Sequence, residues 1–403
     1  MFIYKLKNKI QKYVWGSKTF IPELLGFTNP DAEPQAELWM GAHPKAPSEI
    51  SKNDKTISLA DLIKQNPETI LGSEVASNFN NKLPFLFKVL AAEEPLSIQV
   101  HPNLKQAEEG FNRENKAGIS LDSPTRNYKD DNHKPELICA LTPFDAMCGF
   151  RDVNEIVEIL TYLDLVKILP GTVELQKDPS EDSLKHFFTS LMKSTAKEKT
   201  VFVNSLIRET SNKTPRTQNE KLIFAWILKL SLKYPADVGI FAPILLNVIK
   251  LQPGEALYLN AGILHAYLHG AGIEIMANSD NVLRGGLTSK HVDVPELLKT
   301  LSFSSGKTVI IKPKQQRRNE FIYQTPAREF ELSFLKNSDK NHFNIKETKC
   351  SQILLCTKGN SEIYWNSNKN LKVKKGESIF ISAGVKNLIL EGTAEFYRAV
   401  VPI

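Results

Sequence analysis

Between Pro95 and Pro102 the chain reads Leu96-Ser97-Ile98-Gln99-Val100-His101, apolar and polar in strict alternation. Successive side chains of a strand point to opposite faces, so the pattern predicts a strand with Leu96, Ile98 and Val100 on one side and Ser97, Gln99 and His101 on the other. Just upstream, Leu83-Pro84-Phe85-Leu86-Phe87-Lys88-Val89-Leu90 is an apolar run suited to a buried strand. Ser58-Leu59-Ala60-Asp61-Leu62-Ile63 opens like a capping box and then spaces its apolar residues at three and four, which predicts a short helix over 58–66. Residues 103–132 are polar and long for a passive connection, the mark of a lid or a rim helix. At Asn132-His133-Lys134-Pro135-Glu136-Leu137-Ile138 a strand pattern returns with Lys134, Glu136 and Ile138 on one face, and Pro135 argues for an edge or a bulge.

From 152 to 235 the period changes. Val153, Ile156, Val157, Leu160 and Leu163 recur at helical spacing, as do the apolar residues of 222–232 before Tyr234-Pro235. The stretch reads as a helical insertion whose charged interior, 166–220, carries no chemical motif and forms a solvated surface. Strands resume at Ile244, and here the chain repeats itself. Residues 251–263 align with 373–385, each with a Gly-Glu turn, an alternating strand and an Ala-Gly turn. Matching hairpins of this kind belong to two small β-barrels. In that alignment His265 faces Asn387, so a metal belongs in the first copy alone. The expected organisation is a mostly β protein: residues 1–150 with 236–310 as one unit, 151–235 as the helical insertion, and 311–403 as a second, metal-free unit.

Composition narrows the class without deciding the chemistry. The 403 residues are 41% hydrophobic, enough for sizeable cores, and no apolar run is long enough to span a membrane. The 51 basic and 45 acidic residues are dispersed, which argues against a nucleic-acid track and suits an anionic small substrate. The four cysteines form no CxxC pair, so the expectation is free thiols in the cytoplasm.

The candidate chemistry gathers on the predicted strands. Gln99 and His101 offer an amide oxygen and an imidazole nitrogen to one point, and Glu136 and His265 complete a set suited to a divalent ion such as zinc. His269 is the rival of His265, but four residues along a strand is too far for it to share the point. His43, ahead of a proline, reads as a structural loop residue and stays out of the site. Glu274 falls opposite the apolar stripe of its strand. Arg284 precedes Gly285 and Gly286, where low backbone bulk would let a ligand approach; its bland alternative is a salt bridge to Asp280.

These segments, together with Trp15-Gly16 and Leu83–Leu90, resemble the signature stretches of the type I mannose-6-phosphate isomerases, zinc-dependent enzymes of the cupin superfamily. The resemblance runs from Pro95–Pro102 and Asn132–Leu137 to His265–Lys290. It implies two cupin-type jelly-roll barrels with a helical insertion, one zinc per chain on Gln99, His101, Glu136 and His265, and Arg284 as the catalytic arginine. It further implies catalytic neighbours in Lys134, Glu274, Asp280 and His133, and substrate contacts from Ser97, Lys290 and Tyr267. The implied reaction interconverts mannose 6-phosphate and fructose 6-phosphate through an enediolate, with Lys134 or Glu274 moving the proton, in mannose breakdown or activated-mannose synthesis. A monomer with a sugar phosphate as its partner follows, with neither nucleic acid nor membrane. The competing readings are a metal-bearing cupin that binds sugar phosphates without turnover and an iron-dependent oxygenase, though the latter leaves positions open for oxygen where Gln99 here fills one.

Overall fold

The computed structural model describes all residues except 53, 339–341 and 368. Two ten-stranded antiparallel sheets dominate it, with a block of helices inserted between strands of the first. No helix among the described residues is long and apolar enough to cross a membrane.

The first sheet is organised by the 13-residue strand His265–Ala277. Its opening residues pair with Phe144–Phe150 and, through His265, with Gln99 of the short strand Ile98–Val100. Its later residues pair with Phe85–Ala92 on one side and Glu136–Ala140 on the other. The change of partners falls at Gly270, whose φ of 117° and lack of a Cβ are both required: a Cβ there would lie 2.6 Å from the carbonyl oxygen of Pro143. The bend lets one strand serve two parts of the sheet, and it brings His265 towards Glu136 although Glu136 lies in register with Met276 at the far end.

The second sheet runs through Gln352–Trp365 and Ala394–Val400, and the chain's first strand, Ile3–Lys5, is part of it, paired with Ser378–Ile381. This departs from the expected division at residue 311: the N-terminus crosses to the C-terminal sheet. Ile21, Phe85, Phe87, Ile353 and Phe380 belong to one buried cluster that spans both sheets. The internal repeat is visible in the backbone. Gly254 and Gly376 have φ of 87° and 86°, Gly262 and Gly384 of 79° and 71°, and the strands that follow each turn are Ala256–Leu259 and Ser378–Ile381. Even the side-chain brace recurs, with Glu255 accepting from the Gln252 N–H at 2.9 Å and Glu377 from that of Lys374 at 3.0 Å.

The insertion contains Val153–Tyr162, Thr172–Lys177, Glu181–Lys193, Ala196–Asn212 and Gln218–Lys233. Its middle is more than the solvated surface expected of it: Leu184, Phe187, Phe188, Leu191 and Leu206 are buried in the same cluster as Ile98 and Val100 of the first sheet. Their spacing was obscured by the Lys, Ser and Thr residues of the exposed faces. The short helix appears as Leu59–Gln65, with Ser58 Oγ accepting from the Asp61 N–H at 3.0 Å. The polar segment after His101 begins with a helix, Leu104–Lys116, started by a reciprocal Asn103–Gln106 capping box; none of its residues lines the cleft around Lys134 and Arg284.

Candidate metal centre and active-site cleft

His101, Glu136 and His265 meet in the interior of the first sheet, all three buried, with one ligand atom from each lying within 4.8 Å of the others. Each imidazole is held by its Nδ1. In His101 that atom is 2.7 Å from the Asn281 carbonyl oxygen, and in His265 it is 2.9 Å from that of Ile263. A carbonyl only accepts, so Nδ1 carries the proton and Nε2 presents a bare lone pair. The Nε2 atoms point at opposite oxygens of Glu136, 3.5 Å from Oε1 and 3.6 Å from Oε2.

The electrostatics favour the ligand forms. Burial lowers the pKa of His101, and burial with the neighbouring His101 brings His265 down to about 4, so both rings are neutral near pH 7. Burial acts upward on Glu136, but Lys134 and the two histidines more than offset it and hold the carboxyl well below its ordinary range. Gln99 is turned by a 3.3 Å bond from Nε2 to Ser97 Oγ, which leaves its amide oxygen available. His101 Nε2 is fully buried with no hydrogen-bond partner among the described residues. An orphaned imidazole nitrogen beside a second imidazole and a carboxylate fits a bound divalent cation of the zinc type.

Above the cluster opens a cleft of about 1300 Å3. Ser97, Gln99, Lys134, Asp280, Arg284 and Lys290 line it, with Met192 and Lys199 from the insertion and the segment around Asp237 from its exit. Eight cationic side chains face three carboxylates there, a balance that suits a dianionic ligand. Lys134 bonds Glu136 Oε1 at 3.0 Å, so the same lysine borders the metal centre and the cleft.

Several placements differ from the sequence reading. Asp280 pairs with Lys45 at 2.9 Å and approaches His43 at 3.7 Å, while Arg284 has no ion pair among the described residues; burial alone lowers its pKa. His43 is buried against Trp39 with burial taking its pKa down to about 4, so the loop residue left out of the site sits beside one of its carboxylates. His133, in the irregular segment just ahead of the strand Glu136–Ala140, bonds Glu329 at 2.7 Å instead of lining the cleft. Tyr267 and Glu274 are buried beneath the cleft. The room beside Gly285 and Gly286 is filled by protein: a Cβ on Gly285 would meet Leu264 and Ile98, and one on Gly286 would meet Gly239.

Sequence reasoning missed Lys88. It is buried, bonded to Glu274 at 2.8 Å and 3.9 Å from Glu37; burial opposes its charge, but Glu274, Glu37 and Glu136 outweigh it and raise the pKa. The signal was present, since Lys88 is the one charged residue in the apolar run Leu83–Leu90 and a buried lysine needs partners. Asn281 was also missed: its side chain takes the Lys129 N–H at 2.6 Å and gives a bond to the Asp130 carbonyl at 2.8 Å, fixing the loop that faces His101.

Residues 3–153 match the family model of the phosphomannose isomerase type I catalytic domain, and 166–246 that of its helical insertion domain. The chain is 42% identical over 401 residues to the mannose-6-phosphate isomerase of Escherichia coli, covering 98% of each, and 39% identical over 355 residues to that of Homo sapiens, covering 82% and 81%. Among solved structures it is similar to a mannose 6-phosphate isomerase from Salmonella typhimurium bound to substrate (f6p) and zinc, and to a zinc-bound holo mannose 6-phosphate isomerase. Both superpose with a TM-score of 0.91 at 40% identity over all of both chains.

Proposed function

This chain belongs to the type I phosphomannose isomerase family, and from that premise we propose that it interconverts D-mannose 6-phosphate and D-fructose 6-phosphate with one zinc ion held by Gln99, His101, Glu136 and His265. The observation that carries the reading is the buried His101–Glu136–His265 cluster, with its orphaned imidazole nitrogen, at the base of a cationic cleft. When bound there, zinc supplies Lewis acidity towards the C1 and C2 oxygens of the sugar without redox side reactions.

The protein groups divide the remaining work. Arg284, free of any described ion pair, turns its full charge to the oxyanion that develops as the proton leaves the carbon next to the carbonyl. Of the two candidates for moving that proton, Lys134 lines the cleft, whereas Glu274 lies below it, bonded to Lys88. We therefore assign the proton transfer to Lys134, with Lys88 on the cleft wall and Glu274 bonded to it from below. Asp280, with Lys45 and His43, faces the cleft as a site for sugar hydroxyls. Ser97 and Lys290 are assigned to the phosphate, whose two charges need cations at the mouth. Tyr267 and His133, neither of which lines the cleft, support it from behind.

The finer architecture belongs to the same proposal: each sheet is a jelly-roll barrel of the cupin kind, with the helical insertion spanning 151–235. The chain works as a monomer, since one chain supplies the whole metal cluster, and in the cytoplasm, where four buried free cysteines suit a reducing medium. It takes a sugar phosphate and neither nucleic acid nor membrane. A coupled assay on mannose 6-phosphate tests the activity. Turnover should be lost on chelation and restored by stoichiometric zinc; zinc-replete protein without turnover would leave a sugar-phosphate binder.

A further inference from the structure

Arg284 has no carboxylate partner among the described residues, so its position is set by the backbone that carries it. That backbone is unusual. Arg284 lies in register with Gln99, and the pairing then skips Gly285 to resume at Gly286 and Ile98, a bulge that re-aims the side chain before it. Leu287, the residue after Gly286, is buried with φ of 54°, a left-handed conformation that is strained for a leucine and persists only when neighbours over-determine it.

The neighbours come from the exit of the helical insertion. Asp237 Oδ1 accepts the Gly239 N–H at 2.7 Å, and its Oδ2 accepts the Thr288 N–H at 3.1 Å. One carboxylate thus ties the turn Val238–Phe241 to the residue just past Leu287. Between these bonds Gly239 and Gly286 pack backbone to backbone. A Cβ on Gly239 would come within 2.7 Å of the Leu287 nitrogen, and one on Gly286 within 2.9 Å of the Gly239 Cα.

We infer that Asp237, seated against the Gly239–Gly286 contact, is a positioning residue for Arg284, through which the helical insertion sets the aim of the guanidinium. The inference rests on the isomerase reading and on Arg284 acting in it. A displaced guanidinium loses stabilisation of the transition state more than of the bound substrate, so the defect falls on kcat.

The test is a double-mutant cycle on the zinc-loaded protein, read as kcat and KM for mannose 6-phosphate, with zinc content and melting temperature measured alongside. Asp237→Ala in the parent should lower kcat at least tenfold with KM within threefold and zinc near one per chain. In an Arg284→Lys background the same change should cost less than threefold, because the group it positions is gone. Gly239→Ala, whose Cβ would press on both the Leu287 nitrogen at 2.7 Å and Asp237 Oδ1 at 2.9 Å, displaces the contact while leaving the carboxylate chemically in place, and should reproduce the pattern if Asp237→Ala proves too unstable to assay. Equal losses in both backgrounds, an effect confined to KM, or unchanged kcat would overturn the inference. A parent enzyme without isomerase activity would instead strike at the proposed function, so the two failures are distinct.

Discussion

At the scale of single residues, function rests on groups whose usual partners are missing. Buried charges here are paired: Lys88 with Glu274, Arg126 with Glu114, Lys134 with Glu136. Arg284 is half-buried and unpaired, and the His101 Nε2 is buried and unbonded. In the proposed function each exception is a place where a ligand would complete the set. Arg284→Ala should therefore lower kcat by at least a hundredfold, about 3 kcal/mol of transition-state stabilisation, while zinc stays near the parent stoichiometry. Loss of zinc along with activity would recast the arginine as structural. The cluster of His101, Glu136 and His265 was legible in the sequence, beginning from Gln99 and His101 two apart on a strand, an uncommon solvent face. Lys88 was marked only by being a lone charge in an apolar run, which does not say which carboxylates it meets, and His43 was not legible, because a proline-flanked loop has an ordinary explanation that a single sequence does not displace.

At the scale of elements, one bent strand does most of the positioning. His265–Ala277 delivers a proposed ligand at its start and Glu274 near its end, and the bend at Gly270 folds the first towards Glu136. Alternation was read correctly along it, but the bend was not, since nothing in the residues around Gly270 tells a glycine at a corner from one in a flat strand. Gly270→Ala places a Cβ against the Pro143 carbonyl and forces a positive φ. The expected cost is about 2 kcal/mol in urea unfolding, with weaker zinc retention in a competition with chelator. Unchanged stability and zinc affinity would remove Gly270 from the account. The insertion gives the converse lesson. Its segment 166–220 looked like surface because the apolar residues of Glu181–Lys193 and Ala196–Asn212 are diluted by charged ones, yet capping boxes at Ser180 and Thr195 mark both helix starts.

At the scale of the whole molecule, the repeat and the crossing of the N-terminus join two sheets that divide their roles. The offset between 251–263 and 373–385 was readable because turn glycines and the turn glutamates Glu255 and Glu377 are fixed by geometry. That Ile3–Lys5 would pair with Ser378–Ile381 was not, for a three-residue strand carries no address. The C-terminal unit also reaches the first through Glu329, bonded to His133. Burial acts upward on the Glu329 carboxyl, but the His133 bond and charge outweigh it, so its pKa is lowered. A carboxyl depressed on folding stabilises the protein fully above its unfolded value, about 4.3, and the benefit is lost as pH falls through the folded value. Glu329→Gln should thus destabilise by about 1 kcal/mol at pH 7, and the gap to the parent should close in urea titrations taken down to pH 3. A gap independent of pH would dissociate Glu329 from that ionisation.

The central claim is that Gln99, His101, Glu136 and His265, drawn from three distant parts of the chain, hold one zinc through nitrogen and oxygen alone. X-ray absorption at the zinc edge of the purified protein tests it directly. The account predicts one zinc per chain with two imidazoles and a first shell of nitrogen and oxygen at about 2.0–2.2 Å. A scatterer at about 2.3 Å, the distance of a cysteine sulfur, or a shell without imidazole would contradict it.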